Sequence, residues 1–319
     1  MFYLKEEELE KILKDDGINI KDTRILNKSS GQKKVYFIKV DNKNYVCKVI
    51  DVTPYDTYEN HNITEKSDFK EIDQSIRQEM IDEINTKSKR TITEIKMSKS
   101  CNILPKICFY TEIQKKLIRN YYHIIYYIEE RYKGTPLNYK DEYTVEEILN
   151  FIKQMLINIK DMSNSGYIHR DLKPDNIIFD SDTKIYKVID GGFGKNMQNN
   201  DGNTVFSHNY LGTHGYLAPE QENFPPDYKW NFQTDLYPIG IIAMEMFLPN
   251  ERHKYTTLRN LDEMYAIWKE TFGSESIEIE IFRKLIVKLS AEQRINRFSK
   301  IDKALETVNS FIKEIEEAK

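Results

Sequence analysis

The chain has 319 residues, of which 39% are hydrophobic and 12% aromatic, so it is long enough to bury a large core and too apolar to be disordered. Its 47 Lys and Arg residues are balanced by 51 Asp and Glu residues, and the formal net charge of -4 excludes a strongly basic protein that binds nucleic acid or anionic membranes through bulk charge. Because no apolar run approaches the length of a membrane span and the acidic start is unlike a signal peptide, we expect a cytoplasmic protein with no nucleic acid and no membrane among its partners.

The first third of the chain combines strand patterns with three helical segments. A turn at Asp41-Asn42-Lys43 joins two of the strands into an antiparallel pair, and polar residues 54–80 form an insertion before the next helix. The predicted elements are a helix at 4–15, strands at 23–26, 34–40, 44–50, 106–111 and 121–128, and helices at 73–84 and 91–100.

Helical periodicity dominates after a linker at Lys133-Gly134-Thr135-Pro136. Apolar residues recur at helical spacing with charged faces between them, which predicts helices at 145–163, 235–247, 261–272, 278–289 and 301–313. A strand-rich beginning followed by a helical remainder indicates an α+β fold. The three cysteines, Cys47, Cys101 and Cys108, are scattered in apolar sequence, so we expect buried reduced thiols.

One loop contains the candidate catalytic residues. In His169-Arg170-Asp171-Leu172-Lys173-Pro174-Asp175-Asn176, a carboxylate, an ammonium group and a carboxamide stand at fixed offsets. Phosphoryl transfer needs a carboxylate for the attacking hydroxyl, a cation for the moving phosphoryl group and an oxygen ligand for a metal ion. Asp171, Lys173 and Asn176 are the candidates for these roles.

This octet resembles the catalytic loop of the eukaryotic-type serine/threonine protein kinase family. The segments Val188-Ile189-Asp190-Gly191-Gly192 and Gly212-Thr213-His214-Gly215-Tyr216-Leu217-Ala218-Pro219-Glu220 resemble two further motifs of that family. The resemblance implies a small antiparallel-sheet lobe with one main helix and a larger, mostly helical lobe. Residues 1–22 would then be a helical extension, 23–132 the small lobe with the insertion at about 54–80, and 133–319 the large lobe.

In the small lobe, the resemblance implies that Lys48 contacts the α- and β-phosphates of ATP and pairs with a glutamate on the following helix. Glu94 fits best, and Glu83 is the alternative. The family's glycine-rich loop is altered here, because its three glycine positions fall on Lys28, Ser30 and Lys33. The nucleotide contacts then fall to Ser30, Gly31 and Val35, with help from Lys33 or Lys34 unless these lysines face solvent.

The segment Tyr127 to Gly134 resembles the hinge that binds adenine through its backbone. The alignment gives the carbonyl to Glu130 and the amide to Tyr132. A shift of one residue decides whether Ile128 or Glu129 borders the pocket, and the apolar Ile128 suits adenine better.

In the large lobe, the resemblance assigns the metal-binding carboxylate to Asp190, which joins Asn176, and Gly191 stands where the family has phenylalanine. Thr213 together with Lys173 is typical of serine/threonine-directed members. Asp235 would brace the catalytic loop, and Arg294 would pair with Glu220. In the loop between Asp190 and Gly212, Thr204 and Ser207 are the candidate phosphorylation sites. A phosphate group on either residue would pair with Arg170 and order the loop.

The leading interpretation is therefore an ATP-dependent, Mg²⁺-requiring serine/threonine protein kinase, with ATP and Mg²⁺ as cofactors. Its partners would be protein substrates and, for autophosphorylation, a second copy of the chain. The first alternative is a pseudokinase that acts as a regulatory binding module, which the altered glycine loop and Gly191 favour. The second is a small-molecule kinase, which the Gly-Thr and Ala-Pro-Glu segment disfavours.

Overall fold

A computed structural model of the chain describes residues 6–18, 23–25, 33–63, 72–110, 123–137, 142–191, 195–197, 213–222, 228–251 and 260–319. The chain divides into two compact units. The first consists of Met1–Ile95 and Pro105–Arg131, and the second of Lys96–Leu104 and Tyr132–Lys319.

The first unit is built on a five-stranded sheet in the order β1-β2-β3-β5-β4, and its strand pairs are antiparallel. The strands are β1 (Thr23–Ile25), β2 (Lys33–Val40), β3 (Lys43–Asp51), β4 (Ile107–Tyr110) and β5 (Ile124–Glu130). Asp41 and Asn42 have positive φ angles of 48° and 66°, which a tight hairpin turn between β2 and β3 requires. The predicted turn and strand pair are confirmed, with strand ends shifted by one to three residues.

Within its described residues, the first unit has three helices wholly or mainly to itself: α1 (Glu6–Asp15), α2 (Tyr55–Asn60) and α3 (Gln74–Ser100). Leu13 of α1 is fully buried in an apolar cluster with Tyr36 and Tyr126, whose hydroxyl donates to Asp16. Helix α1 therefore packs on the sheet.

The prediction of two helices at 73–84 and 91–100 is wrong, because α3 runs unbroken through both. The 27 residues of α3 contain neither Gly nor Pro, so nothing in the polar stretch between the two predicted helices interrupts the backbone hydrogen bonds. Asp73 fixes the start of the helix by accepting hydrogen bonds from the amides of Ser75 and Ile76 at 2.7 and 3.0 Å.

The second unit is mostly helical. Its helices are α4 (Val145–Asn164), α5 (Gln233–Phe247), α6 (Leu261–Phe272), α7 (Ile277–Ile281), α8 (Val287–Leu289) and α9 (Ile301–Glu317), with a π-helical turn (Phe282–Ile286) between α7 and α8. Helix α4 begins with a capping box in which Thr144 accepts from the amide of Glu147 and Glu147 accepts from the amide of Thr144. Helix α5 is buried almost throughout, and the Cα of Gly240 comes so near Ser290 that an added Cβ would lie 2.8 Å from the Ser290 Cβ.

The part of the second unit that the structure describes also contains two small sheets. One has the order β6-β8-β9 and the other pairs β7 with β10. Their strands are β6 (Thr135–Pro136), β7 (Tyr167–Ile168), β8 (Ile177–Asp180), β9 (Ile185–Val188) and β10 (Lys195–Asn196). The loop between β7 and β8 contains the predicted catalytic octet.

The α+β organisation expected from the sequence, with a sheet in the first unit and helices dominating the second, is confirmed. Across the described residues, no helix is both long and apolar enough to span a bilayer. All three thiols are free, and Cys47 and Cys101 are buried as expected. The expectation for Cys108 is wrong: this residue is exposed, because it lies on β4, the edge strand of the sheet.

Candidate active site

The backbone of the catalytic loop is held by one buried carboxylate. Asp235, at the start of α5, accepts hydrogen bonds from the amides of His169 and Arg170, both at 2.8 Å. Burial raises the pKa of Asp235, while His169 and the two amide bonds act in the opposite direction. These bonds stabilise a sharp bend in which Arg170 has a φ of +62°, an uncommon angle for a residue with a side chain.

His169 links this loop to the segment that contains Asp190. Its Nδ1 accepts a hydrogen bond from the amide of Asp171 at 3.2 Å, and its Nε2 donates to the carbonyl oxygen of Asp190. The fully buried His169 ring thereby fixes the backbone of both segments.

Three of the predicted site residues meet through their side chains. The hydroxyl of Thr213 donates to Oδ1 of Asp171 at 2.9 Å and accepts from Nζ of Lys173 at 2.8 Å. The same Nζ lies 3.9 Å from Oδ2 of Asp171. A carboxylate, an ammonium group and a hydroxyl thus form a closed triangle.

Asn176 lies against the same carboxylate. Its Nδ2 donates to the carbonyl oxygen of Asp171 at 2.9 Å and to Oδ2 at 3.3 Å, which leaves the amide oxygen of Asn176 for another ligand. Strand register brings the Asp190 segment alongside, because Ile177 pairs with Val188 and the amide of Ile189 donates to the carbonyl oxygen of Asn176 at 3.0 Å. The two predicted metal ligands are therefore on neighbouring backbone segments.

The segment around Glu220 is anchored from two sides. Gln221 donates from Nε2 to the carbonyl oxygen of Arg170 at 2.8 Å and accepts from the amide of Ala218 at 3.1 Å. Arg297 forms a two-pronged ion pair with Glu220 at 2.7 and 2.9 Å, and its side chain is completely buried.

The prediction that Arg294 pairs with Glu220 is therefore wrong. A 3₁₀ turn (Arg294–Asn296) precedes Arg297, and Arg294 instead donates to the carbonyl oxygen of Lys229 at 2.7 Å. The guanidinium group of Arg294 lies over the ring of Tyr228.

Arg170 is buried, and its guanidinium group lies 5.0 Å from the ring centre of Trp230. The predicted phosphorylation sites, Thr204 and Ser207, lie outside the described residues, so their pairing with Arg170 stays a prediction.

In the first unit, Lys48 lies between two carboxylates. Its Nζ is 2.8 Å from Oε1 of Glu129 and 3.5 Å from Oε1 of Glu94. Nζ of Lys33 contacts both carboxylate oxygens of Glu94, at 2.9 and 3.0 Å. Glu94 is thus near Lys48, as expected, but its shorter contacts are with Lys33.

The alternative partner, Glu83, has a different role. Its carboxylate accepts hydrogen bonds from the amides of Asp56 and Thr57 and from the Thr57 hydroxyl, and it pairs with Lys87. Glu83 therefore attaches α2 to α3, and these bonds lower the pKa of Glu83 against the effect of burial.

The expectation that Ile128 borders the nucleotide pocket is wrong. Lys48 pairs with Tyr127 across β3 and β5, and side chains alternate between the faces of a strand, so Glu129 shares a face with Lys48. Ile128 faces the opposite side, where it packs with Leu13 and Tyr36.

The remaining predicted nucleotide contacts are distributed as follows. Val35 is half-buried on β2 and pairs directly with Lys48. The side chain of Glu130 is exposed, and its backbone amide donates a hydrogen bond to the carbonyl oxygen of Lys106. Tyr132 belongs to the second unit, where its hydroxyl donates a hydrogen bond to the carbonyl oxygen of Ile103. Ser30 and Gly31 lie outside the described residues.

The sequence interpretation missed four residues that hold the site: Glu129, Lys33 as a partner of Glu94, Gln221 and Arg297. The strand period of two, counted from Lys48 and its partner Tyr127, would have selected Glu129. No comparable signal marks Gln221.

Comparison with known proteins agrees with this geometry. The sequence profile of the protein kinase domain matches residues 69–313. The chain is 26% identical over 196 residues to serine/threonine-protein kinase D of Synechocystis sp., and 33% identical over 128 residues to serine/threonine-protein kinase 1 of African swine fever virus. It is also 31% identical over 160 residues to human death-associated protein kinase 2.

These alignments cover 59%, 40% and 47% of the chain, respectively. They cover 36%, 41% and 41% of the three relatives, so the chain spans less than half the length of each.

Proposed function

Because the chain belongs to the protein kinase domain family, we propose that it is a serine/threonine protein kinase that transfers the γ-phosphate of Mg-ATP to hydroxyl groups of proteins, including its own. The relatives named above support a protein acceptor, since each is named as a protein kinase.

The triangle of Asp171, Lys173 and Thr213 carries the proposal. The carboxylate of Asp171 already accepts a hydrogen bond from one threonine hydroxyl, at 2.9 Å, and in the reaction it would orient and accept the proton of a substrate hydroxyl. Lys173 would stabilise negative charge on the phosphoryl group, because its ammonium group is held 3.9 Å from the same carboxylate.

The donor set in the second unit suits Mg²⁺. Asn176 offers an amide oxygen and Asp190 a carboxylate, and Mg²⁺ prefers hard oxygen ligands from one or two carboxylates together with phosphate oxygens. When bound, Mg²⁺ would neutralise charge on the β- and γ-phosphates. The hydrogen bond from Nδ2 of Asn176 to Asp171 would keep the amide oxygen oriented for this role.

In the first unit, Lys48 would contact the α- and β-phosphates. Its ammonium group is buried, with a 6% exposed side chain, so its charge is poorly screened by water. Glu94 and Val35 would position Lys48 and cover the nucleotide, while Glu130 and Tyr132 would offer backbone groups to adenine, and Ser30 and Gly31 backbone amides to the phosphates.

Transfer of radiolabelled phosphate from Mg-ATP tests the proposal. The wild-type protein should label itself and a generic acceptor such as casein. Asp171→Asn and Lys48→Ala should each reduce labelling by about 10³-fold or more, because they remove the proton acceptor and the phosphate contact. Glu280→Gln, on α7 and with a 40% exposed side chain paired with Lys284, is the matched control and should label normally. Equal labelling by wild type and Asp171→Asn would refute the proposal.

A pseudokinase is the second candidate. The observation that favours it is the position of Lys48, which lies nearer Glu129 than Glu94. A protein that binds ATP, measured by calorimetry, but transfers no phosphate under any metal condition would support this candidate.

A further inference from the structure

Four charges of alternating sign, three of them buried, lie in a row in the first unit. Lys33 contacts Glu94 at 2.9 and 3.0 Å, Glu94 lies 3.5 Å from Lys48, and Lys48 lies 2.8 Å from Glu129. The side chains of Lys48, Glu94 and Glu129 are each 6% exposed and that of Lys33 is 20% exposed. We call these four residues the charge row.

Strand register explains how the charge row forms. Lys33 pairs with Ile50 and Val35 with Lys48, so Lys33 and Lys48 lie on the same face of β2 and β3. Glu129 reaches that face from β5, and the ring of Tyr127 lies 5.5 Å from Nζ of Lys48 and 5.9 Å from that of Lys33. Glu94 comes from α3, so four separate elements supply the four charges.

As a whole, the charge row has two positive and two negative members and no net charge. Burying an unpaired carboxylate or ammonium group is costly, whereas alternating signs at hydrogen-bonding distance compensate each other. The pair of Lys48 and Glu94 alone would already be neutral, so Lys33 and Glu129 add one positive and one negative charge. Each of these added charges is compensated by the other.

The carboxyl of Glu129 is strongly desolvated. Burial raises the pKa of its carboxyl to about 7, and Lys48 and Lys33 act in the opposite direction. The charged groups facing it are Lys48 on β3, Lys33 on β2 and Glu94 on α3. Its charge also acts on the buried thiol of Cys47 on β3, where burial is the larger cause of a raised pKa.

We infer that Lys33 and Glu129 are a matched pair of positioning residues: Glu129 holds the ammonium group of Lys48, and Lys33 takes over the carboxylate of Glu94. This inference rests on the proposed function, because it assigns Lys48 to the phosphates of ATP. It gives the third glycine position of the altered loop, occupied by Lys33, a defined partner.

The consequence is reciprocal dependence. Without Lys33 the row carries one excess negative charge, which repels phosphate groups. Without the charge of Glu129 the row carries one excess positive charge, and Lys48 loses its nearest partner. Without both, Lys48 and Glu94 remain as a neutral pair.

Four proteins test this dependence: wild type, Lys33→Met, Glu129→Gln and the double variant, assayed at about pH 8, where Glu129 is ionised. We expect Lys33→Met to raise KM for Mg-ATP about tenfold with little change in kcat, and Glu129→Gln to lower kcat about tenfold with no rise in KM. The double variant should return to within about threefold of wild type in both constants. Losses that multiply in the double variant would overturn the inference.

The pH profile separates positioning from simple packing. Protonation of Glu129 below about pH 7 should lower kcat of the wild type, and this fall should be absent in Glu129→Gln. The same profile in both proteins would also overturn the inference.

A readout without nucleotide separates this inference from the proposed function. In urea unfolding of the nucleotide-free proteins, the two single substitutions should each raise the unfolding equilibrium constant by about tenfold, and the double variant should raise it by less than their product. Lys34→Met is the matched control, since Lys34 faces the other side of β2, and its effect should multiply with that of Glu129→Gln. If no protein transfers phosphate but the coupling is present, only the proposed function fails; if wild type transfers phosphate but the coupling is absent, only this inference fails.

Discussion

Replacing Arg297 by Met should destabilise the second unit severely. The substitution removes the two hydrogen bonds to Glu220, at 2.7 and 2.9 Å, and further bonds to the carbonyl oxygens of Ala291, Gln233 and Glu292 at 2.8, 2.9 and 3.2 Å. It leaves the carboxylate of Glu220, whose side chain is 9% exposed, without its guanidinium partner. Breaking a buried pair in this way costs about 3–5 kcal/mol of the free energy of unfolding.

Arg294→Met provides the matched control three residues away. This change removes one hydrogen bond, to the carbonyl oxygen of Lys229, and one stacking contact with Tyr228, at a partly exposed site. The expected loss is about 1 kcal/mol.

Urea unfolding followed by tryptophan fluorescence measures both losses. The two tryptophans of the chain, Trp230 and Trp268, lie in the second unit, so the signal reports the unit that contains the ion pair. Adding Glu220→Gln to Arg297→Met should recover part of the loss, since the unpaired charge is removed. If the two arginine variants differed by less than about 1 kcal/mol, the reasoning from burial would be refuted.

Three further predictions concern other parts of the chain. The pKa of the Glu129 carboxyl changes from 4.5 to about 7 on folding, so between these pH values the folded state binds a proton that the unfolded state has lost. As the pH rises from 4.5 to 7, the wild type should therefore lose up to about 3 kcal/mol of its free energy of unfolding relative to Glu129→Gln. Urea unfolding of both proteins at each pH measures this difference. Glu83→Ala should detach α2 from α3, because Thr57 loses two hydrogen bonds of 2.9 and 2.7 Å to the Glu83 carboxylate. Amide hydrogen exchange over Tyr55–Asn60 should then become about tenfold faster or more. Unchanged exchange would contradict the attachment of α2 through Glu83. Gly134→Ala should lower the free energy of unfolding by about 2 kcal/mol or more, because φ is +122° and the new Cβ would lie 2.7 Å from the Ile178 side chain. The control is Gly273→Ala, where φ is +84° and the space around the new Cβ is open. This variant should lose about 1 kcal/mol of its free energy of unfolding.

The sequence predicted most of what periodicity and local motifs determine. Helix α6 has the predicted bounds, and the hairpin at Asp41 and Asn42 follows from residues that tolerate positive φ. Asp171, Lys173 and Asn176 all belong to the octet at 169–176, so one short loop brings the three residues together in the structure.

What the sequence could not fix depends on tertiary register. Arg294 and Arg297 are both arginines near the right position, and only the 3₁₀ turn between them decides which one reaches Glu220. From the sequence, Ile128 is favoured over Glu129 as a wall of the pocket because an apolar wall suits adenine. The burial of Glu129 is explained by Lys48, and that partner becomes visible only when β3 and β5 are aligned.

The exposed thiol of Cys108 allows the first unit to be labelled with a thiol-reactive reagent, whereas the cysteine of the second unit, Cys101, is buried. The other two cysteines are buried, so a maleimide-linked dye would attach selectively to the edge strand. Both tryptophans, Trp230 and Trp268, belong to the other unit. The dye would therefore report on the first unit and tryptophan fluorescence on the second, so the response of each unit to nucleotide could be followed separately without introducing any mutation.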